Sequence, residues 1–115
     1  MELKDLNWTT DFLGAITVCD LQGIIVEMNE RSIEMYGKDG GRDLIGKNLF
    51  DCHPEPSRSR LRQLLESGEP NIYTIERDGI KKLIYQAPWL QNGKRMGMVE
   101  LVLEIPTNPP HFKRQ

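Results

Sequence analysis

Residues 15–54 read AITVCDLQGIIVEMNERSIEMYGKDGGRDLIGKNLFDCHP, and the order of parts in this stretch decides the fold. Ile16 and Val18 alternate with Thr17 and Cys19, residues 20–23 supply a tight turn, and Ile24, Ile25 and Val26 lead out again. That pattern predicts a β-hairpin. Asn29 then stands where a helix needs an N-cap, Ile33 and Tyr36 lie three apart on one face, and Gly37 occupies the position where a left-handed residue would end the helix. Residues 38–53 carry Gly40, Gly41 and Gly46 among the short apolar pieces Leu44, Ile45, Leu49 and Phe50, which predicts helical turns and loops.

Working outward, proline and serine at residues 54–57 predict the start of a longer helix. Its Leu61, Leu64 and Leu65 share a face, Arg58, Arg60, Arg62 and Gln63 take the other, and Gly68 closes it. Strand patterns follow at residues 72–77, 80–90 and 95–105, separated by the turn pairs Asp78-Gly79 and Asn92-Gly93. In the last strand Val99, Leu101, Leu103 and Ile105 lie on one side and Met98, Glu100, Val102 and Glu104 on the other. The more apolar set is expected to face the helices, leaving Met98 and Val102 on the outer face. Two strands, small helices, one longer helix and three strands make an α+β domain with an antiparallel sheet.

The chain has 115 residues, which suits one domain with a modest core. Fifteen basic against 17 acidic side chains leave a net charge of −2, so no electrostatic footprint calls for nucleic acid or an anionic membrane. No apolar run approaches the roughly 18 residues that span a bilayer, and Met1 and Glu2 open onto neither a basic segment nor a signal core. A soluble, cytoplasmic protein is expected. Cys19 and Cys52 have no paired spacing that suggests a disulfide framework or a zinc site, and two free thiols are the expectation.

Over residues 14–106 the chain resembles a PAS domain. The resemblance rests on Asp20 and Gly23 in the first hairpin, Asn29 before the first helix, Gly37 after it, and Ile45 with Gly46. It continues through His53-Pro54, Asp78-Gly79, Pro88, Gly93, Gly97 and the closing Glu104-Ile105. It implies a five-stranded sheet in the order 2-1-5-4-3, small helices over one face, and often a small molecule held between them. It also implies a sensory role of the bacterial two-component kind, with dimerisation as a common device. The expected division is an N-terminal helix over residues 1–12, the PAS domain over 13–106, and a proline-rich basic tail over 107–115.

Catalytic readings find little support. A thiol nucleophile needs a base within reach and a group to orient it, and Cys52 next to His53 in sequence does not by itself bring thiol and imidazole together. Gly40 and Gly41 are followed by Arg42 and Asp43, so there is no phosphate loop. The carboxylates are scattered, and no acid/base pair emerges from spacing. No enzymatic activity is expected.

The cofactor is left unassigned. Flavin photosensors of the PAS family carry an asparagine and then the photoactive cysteine; Gly46, Lys47 and Asn48 match the start of that motif, but Leu49 stands at the cysteine position, which removes the adduct. His53 is a minor candidate as an axial haem ligand, against the reading that it satisfies backbone groups at a turn. For a small organic ligand, Tyr73, Tyr85 and Trp89 on the later strands, with Cys19, Tyr36, Cys52 and His53, are the candidate pocket; the alternative makes the strand aromatics ordinary core or outer-face residues.

Leu3, Leu6, Trp8 and Phe12 form a partly amphipathic pattern that would cover Met98 and Val102 on the outer sheet face of a homodimer, or fold back on its own subunit. Where many PAS domains pass into a coiled-coil helix, this chain reads Pro106, Thr107, Asn108, Pro109, Pro110, which disfavours helical output. It is either a stand-alone protein acting by association or part of a longer signalling chain. Two functions follow from these readings: a ligand-responsive sensor, or an interaction module that binds a signalling partner or a second copy and senses nothing.

Overall fold

The computed structural model describes residues 6–115. β1 (Ala15–Asp20) and β2 (Ile25–Met28) form the first hairpin. Its turn is fixed by Asp20, whose Oδ1 accepts from the amides of Gln22 and Ile24, both at 2.9 Å. α1 (Glu30–Met35) follows, capped as expected by Asn29. Gly37 does not end it in a left-handed conformation: residues Gly37–Asp39 and Gly41–Leu44 continue as 3-10 turns, and the positive φ values fall at Gly40 and Gly41.

α2 (Leu49–Cys52) is one short turn capped by the Asn48 side chain. α3 (Ser57–Ser67) buries Leu61, Leu64 and Leu65 and ends at a left-handed Gly68, as its sequence predicts. The cap at its start is not serine. Glu55 accepts from the Ser59 amide at 2.8 Å, satisfying a first-turn N–H that has no partner within the helix.

β3 (Asn71–Arg77), β4 (Ile80–Gln91) and β5 (Lys94–Ile105) complete one antiparallel sheet in the order β2-β1-β5-β4-β3. Both turns between them carry positive φ at consecutive residues, Asp78-Gly79 and Asn92-Gly93, the conformation that matches strand twist in two-residue hairpins. Past Ile105 the chain has no helix, consistent with its prolines.

The register decides which residues face the helices. Ala15 pairs with Val102, Thr17 with Glu100 and Cys19 with Met98, and across β4 Ile84 pairs with Val102 and Gln86 with Glu100. Ala15, Ile84 and Val102 form one core cluster with Met35 packed against it. Cys19, Leu61 and Leu65 form another with Leu49, Phe50 and Met98. The inner face of β5 is therefore Met98, Glu100, Val102 and Glu104, and the expected orientation of this strand is reversed. Met98 and Val102 belong to the interior and are unavailable to an outer-face interface, whereas Val99, Leu101, Leu103 and Ile105 lie outside, half-buried.

The helix expected over residues 1–12 is not formed in its described part. Residues 8–11 make hydrogen-bonded turns, with the Phe12 amide donating to the Thr9 carbonyl at 3.4 Å. Leu3 and the rest of residues 1–5 lie outside the described residues. Leu6 and Trp8 are exposed, and Trp8 stacks edge-on against Phe12 with ring centroids 5.6 Å apart. A Cβ at Gly14 would fall within 2.3 Å of a Leu103 methyl and 2.9 Å of the Phe12 ring, so these two side chains meet over the glycine at the outer face.

Candidate functional site

A cavity of about 380 Å³ lies between the inner sheet face and the helical layer. Its sheet wall is Thr17, Cys19, Gln86, Met98 and Glu100, and its roof includes Tyr36, Leu44, Leu49 and Leu61. Leu61 reaches it because α3 packs its leucine stripe onto Cys19, and Tyr36 reaches it because α1 ends over β5.

The lining is largely apolar; besides Thr17, Asp39 and His53, its polar groups form one connected set. The Tyr36 hydroxyl donates to Glu100 Oε1 at 2.9 Å, and Gln86 Nε2 donates to Glu100 Oε2 at 2.8 Å. Asn71 Nδ2 donates to Gln86 Oε1 at 2.8 Å, and Arg60 donates to Asn71 at 3.0 Å. The chain runs across three adjacent strands and is possible only because Asn71, Gln86 and Glu100 share one face in register. Burial, followed by the Glu100 charge and the hydrogen bond to it, pushes the Tyr36 phenol well above its ordinary range, so it stays neutral and donates.

Four of the seven expected pocket residues line the cavity: Cys19, Tyr36, Cys52 and His53. The Cys19 thiol is pushed up by burial, with the Asp20 and Glu100 charges adding to this and a backbone hydrogen bond involving Met98 opposing it, so it is a poor nucleophile. His53 Nδ1 lies 2.7 Å from the Leu49 carbonyl oxygen. A carbonyl can only accept, so Nδ1 carries the proton and Nε2 is the basic nitrogen. The imidazole is thus engaged with backbone and not with the neighbouring Cys52 thiol.

The strand aromatics do not line the cavity. Tyr73, which pairs with Ile84 on the inner face, borders an adjoining groove and is 43% exposed. Tyr85 and Trp89 pair with Leu101 and Gly97 and point outward, one step of the two-residue period away from Gln86 and Pro88. Trp89 has a structural task instead: its indole N–H crosses Gly97 to reach the Cys19 carbonyl at 3.0 Å. Thr17, Gln86, Met98 and Glu100 were not expected at the site. A signal for them exists in the polar Gln86 inside the apolar run LIYQAPWL and in Glu100, its direct partner across the last hairpin, but it is readable only once the face of β5 is known.

A single sheet in this order, with short helices closing a cavity over one face, defines a PAS-type α+β module. The PAS domain profile matches residues 13–85, and the chain belongs to the PAS domain family. The strand that supplies Glu100 lies beyond the matched stretch.

No curated protein sequence matches the chain. Among solved structures, it is similar to the Aer2 receptor from Vibrio cholerae, described as a dual PAS-heme oxygen sensor, with TM-score 0.64 and 17% identity over 81% of this chain and 95% of that one. It is also similar to Vibrio cholerae VqmA, with TM-score 0.65 and 20% identity over 92% of this chain; it spans only 52% of that VqmA chain. A third likeness is the PAS domain of an HTR-like protein from Haloarcula marismortui, with TM-score 0.59 and 15% identity over 85% of this chain and 86% of that one. Likenesses at these identities speak for the fold. Among the described residues no helix is long and apolar enough to cross a membrane, and no group of three His, Cys, Asp or Glu side chains is placed to hold a metal ion.

Proposed function

We propose that the chain is a sensory PAS domain of the cytoplasm that binds a small molecule in the cavity over its sheet and changes its association with a second copy or a signalling partner in response. The observation that carries this reading is the cavity itself, whose volume lies in the range of about 300–1,000 Å³ usual for small-ligand sites and whose apolar walls hold a few convergent polar groups. VqmA has been solved bound to DPO, which agrees with a ligand-holding role for this fold. Ligand binding would act by favouring one of two arrangements of the helices against the sheet.

Native mass spectrometry of the purified protein, with a thermal-shift screen of a metabolite panel, tests it. A co-purified mass, or a compound that raises the melting temperature, is expected, since a ligand at 100 times its Kd adds about 2.7 kcal/mol. A protein with neither would be the purely interacting module.

Haem fits these residues less well, although the Aer2 likeness names it. The cavity is at the small end of the range, and a macrocycle against the sheet would bury Gln86 and Glu100 away from water with no Lys or Arg in the lining to offset the carboxylate. Self-association is assigned to the outer sheet face. There Val99, Leu101 and Leu103 adjoin Tyr85 and Ile72, the last two 38% and 52% exposed.

A further inference from the structure

The charge of the cavity points to the chemistry of what it holds; this inference rests on the ligand-binding reading above. Both formally charged carboxylates of the lining, Asp39 and Glu100, are acidic, and no Lys or Arg lines the space. Of the lining side chains only His53 can become cationic, and its Nδ1 proton is directed to the Leu49 carbonyl. Arg60, on the adjoining groove, directs its guanidinium to Asn71 and Gln63.

Glu100 is the group with capacity to spare. An ionised carboxylate offers about four acceptor positions on its two oxygens. Tyr36 occupies one on Oε1 and Gln86 one on Oε2, so each oxygen retains an open lone-pair direction. The two donors hold the carboxylate in place from either side, which lowers the cost of ordering it when a ligand arrives. Tyr36, kept neutral, continues to donate to Glu100 and presents its own oxygen as an acceptor.

We propose that the cavity selects compact, partly apolar molecules bearing a protonated or N–H-donating nitrogen, anchored on the Glu100 carboxylate, and rejects carboxylates and phosphates. An anion in the same place would meet two like charges with no countercharge from the walls, whereas an ammonium or ring N–H gains a charge-assisted hydrogen bond in a low-dielectric setting. Thr17, Cys19 and Met98 bound the remaining space, which favours a small apolar body over a polyhydroxylated one.

Ligand-observed NMR titration of the full chain with benzylamine, benzyl alcohol and benzoate, which share one ring and differ in the head group, tests this. Benzylamine is expected to bind at least about tenfold tighter than benzoate, the scale of one hydrogen bond to a charged partner. Glu100→Gln is expected to collapse that ratio towards unity, and Asp39→Asn, at an exposed position that disturbs no core residue, to reduce it in part. Benzoate binding as tightly as benzylamine, or a preference unchanged in Glu100→Gln, would overturn the selectivity and leave the cavity reading standing. Failure of all three probes together with no co-purified mass would remove the cavity reading and this inference with it.

Discussion

Asn29 uses both ends of one amide. Its Oδ1 accepts from the amides of Ile16 and Ser32, at 2.9 and 3.0 Å, and its Nδ2 donates to the Thr9 and Gly14 carbonyls at 2.9 Å each. The residue is 5% exposed, so its loss would strand buried backbone groups on three segments. Asn29→Ala is expected to cost about 3 kcal/mol or more, because each unsatisfied buried group costs about 1–3 kcal/mol, read as a lowered urea midpoint. Asn29→Asp should not rescue it, since a carboxylate cannot donate to the two carbonyls. Sequence showed the capping role alone; the other three bonds depend on the hairpin and the N-terminal segment converging on one point. Tyr36 sets an alkaline limit. Its folded pKa is raised, so between the unfolded value of about 10 and the folded one the native state holds the proton more tightly. Stability is complete below pH of about 10 and falls as pH rises further. Tyr36→Phe should flatten that fall while lowering stability at neutral pH, by about 1–3 kcal/mol for the donor lost from Glu100; equal alkaline slopes in both proteins would refute the assignment. The two thiols should separate cleanly in a dithiobis-nitrobenzoate assay, with exposed Cys52 reacting in the native state and buried Cys19 only on unfolding.

At the scale of elements, β5 is where reading the sequence and reading the structure part. The alternation along residues 98–105 is plain, and period two is correct, but the assignment of sides follows the rule that the more apolar face is the buried one. Here the inner face lines a cavity and carries Glu100 within a hydrogen-bonded chain, so it is the less apolar of the two, while the aliphatic outer face is only half-covered. A rule about cores fails at a face built around a space. The same strand carries a steric prediction. Gly97 has φ of 154°, and a Cβ there would fall 1.9 Å from the Cys19 carbonyl oxygen, on backbone that cannot give way without moving β1. Gly97→Ala is expected to disrupt the β1–β5 pairing and the Trp89 hydrogen bond across it, at a cost of about 3 kcal/mol or more, as for overpacking at a rigid site. A fully folded variant with an unchanged denaturation midpoint would contradict this. By contrast the helix α3 was legible almost to the residue, because its leucine stripe and closing Gly68 answer to local geometry.

For the molecule as a whole, the outer face decides whether the domain acts alone. If the proposed self-association uses that face, the native chain should scatter as a dimer, and Leu101→Lys, which puts a charge at its centre, should scatter as a monomer. Removing residues 1–12 should weaken the dimer, because Phe12 lies beside Leu103 on the same face; a native chain that scatters as a monomer would refute self-association. The sequence by itself determined the class, the element order and the turns, since hydrophobic period, Asx and glycine turn chemistry and a leucine stripe are local properties. It also located four cavity residues, Cys19, Tyr36, Cys52 and His53, in segments near the sheet. Only the tertiary structure decided which side of β5 faces inward, that Tyr85 and Trp89 turn away, and that Asn71, Gln86 and Glu100 meet in one polar chain. Those outcomes depend on the register of strands far apart in sequence and on what packs above them, and a shift of one residue in that register exchanges every inward side chain for an outward one.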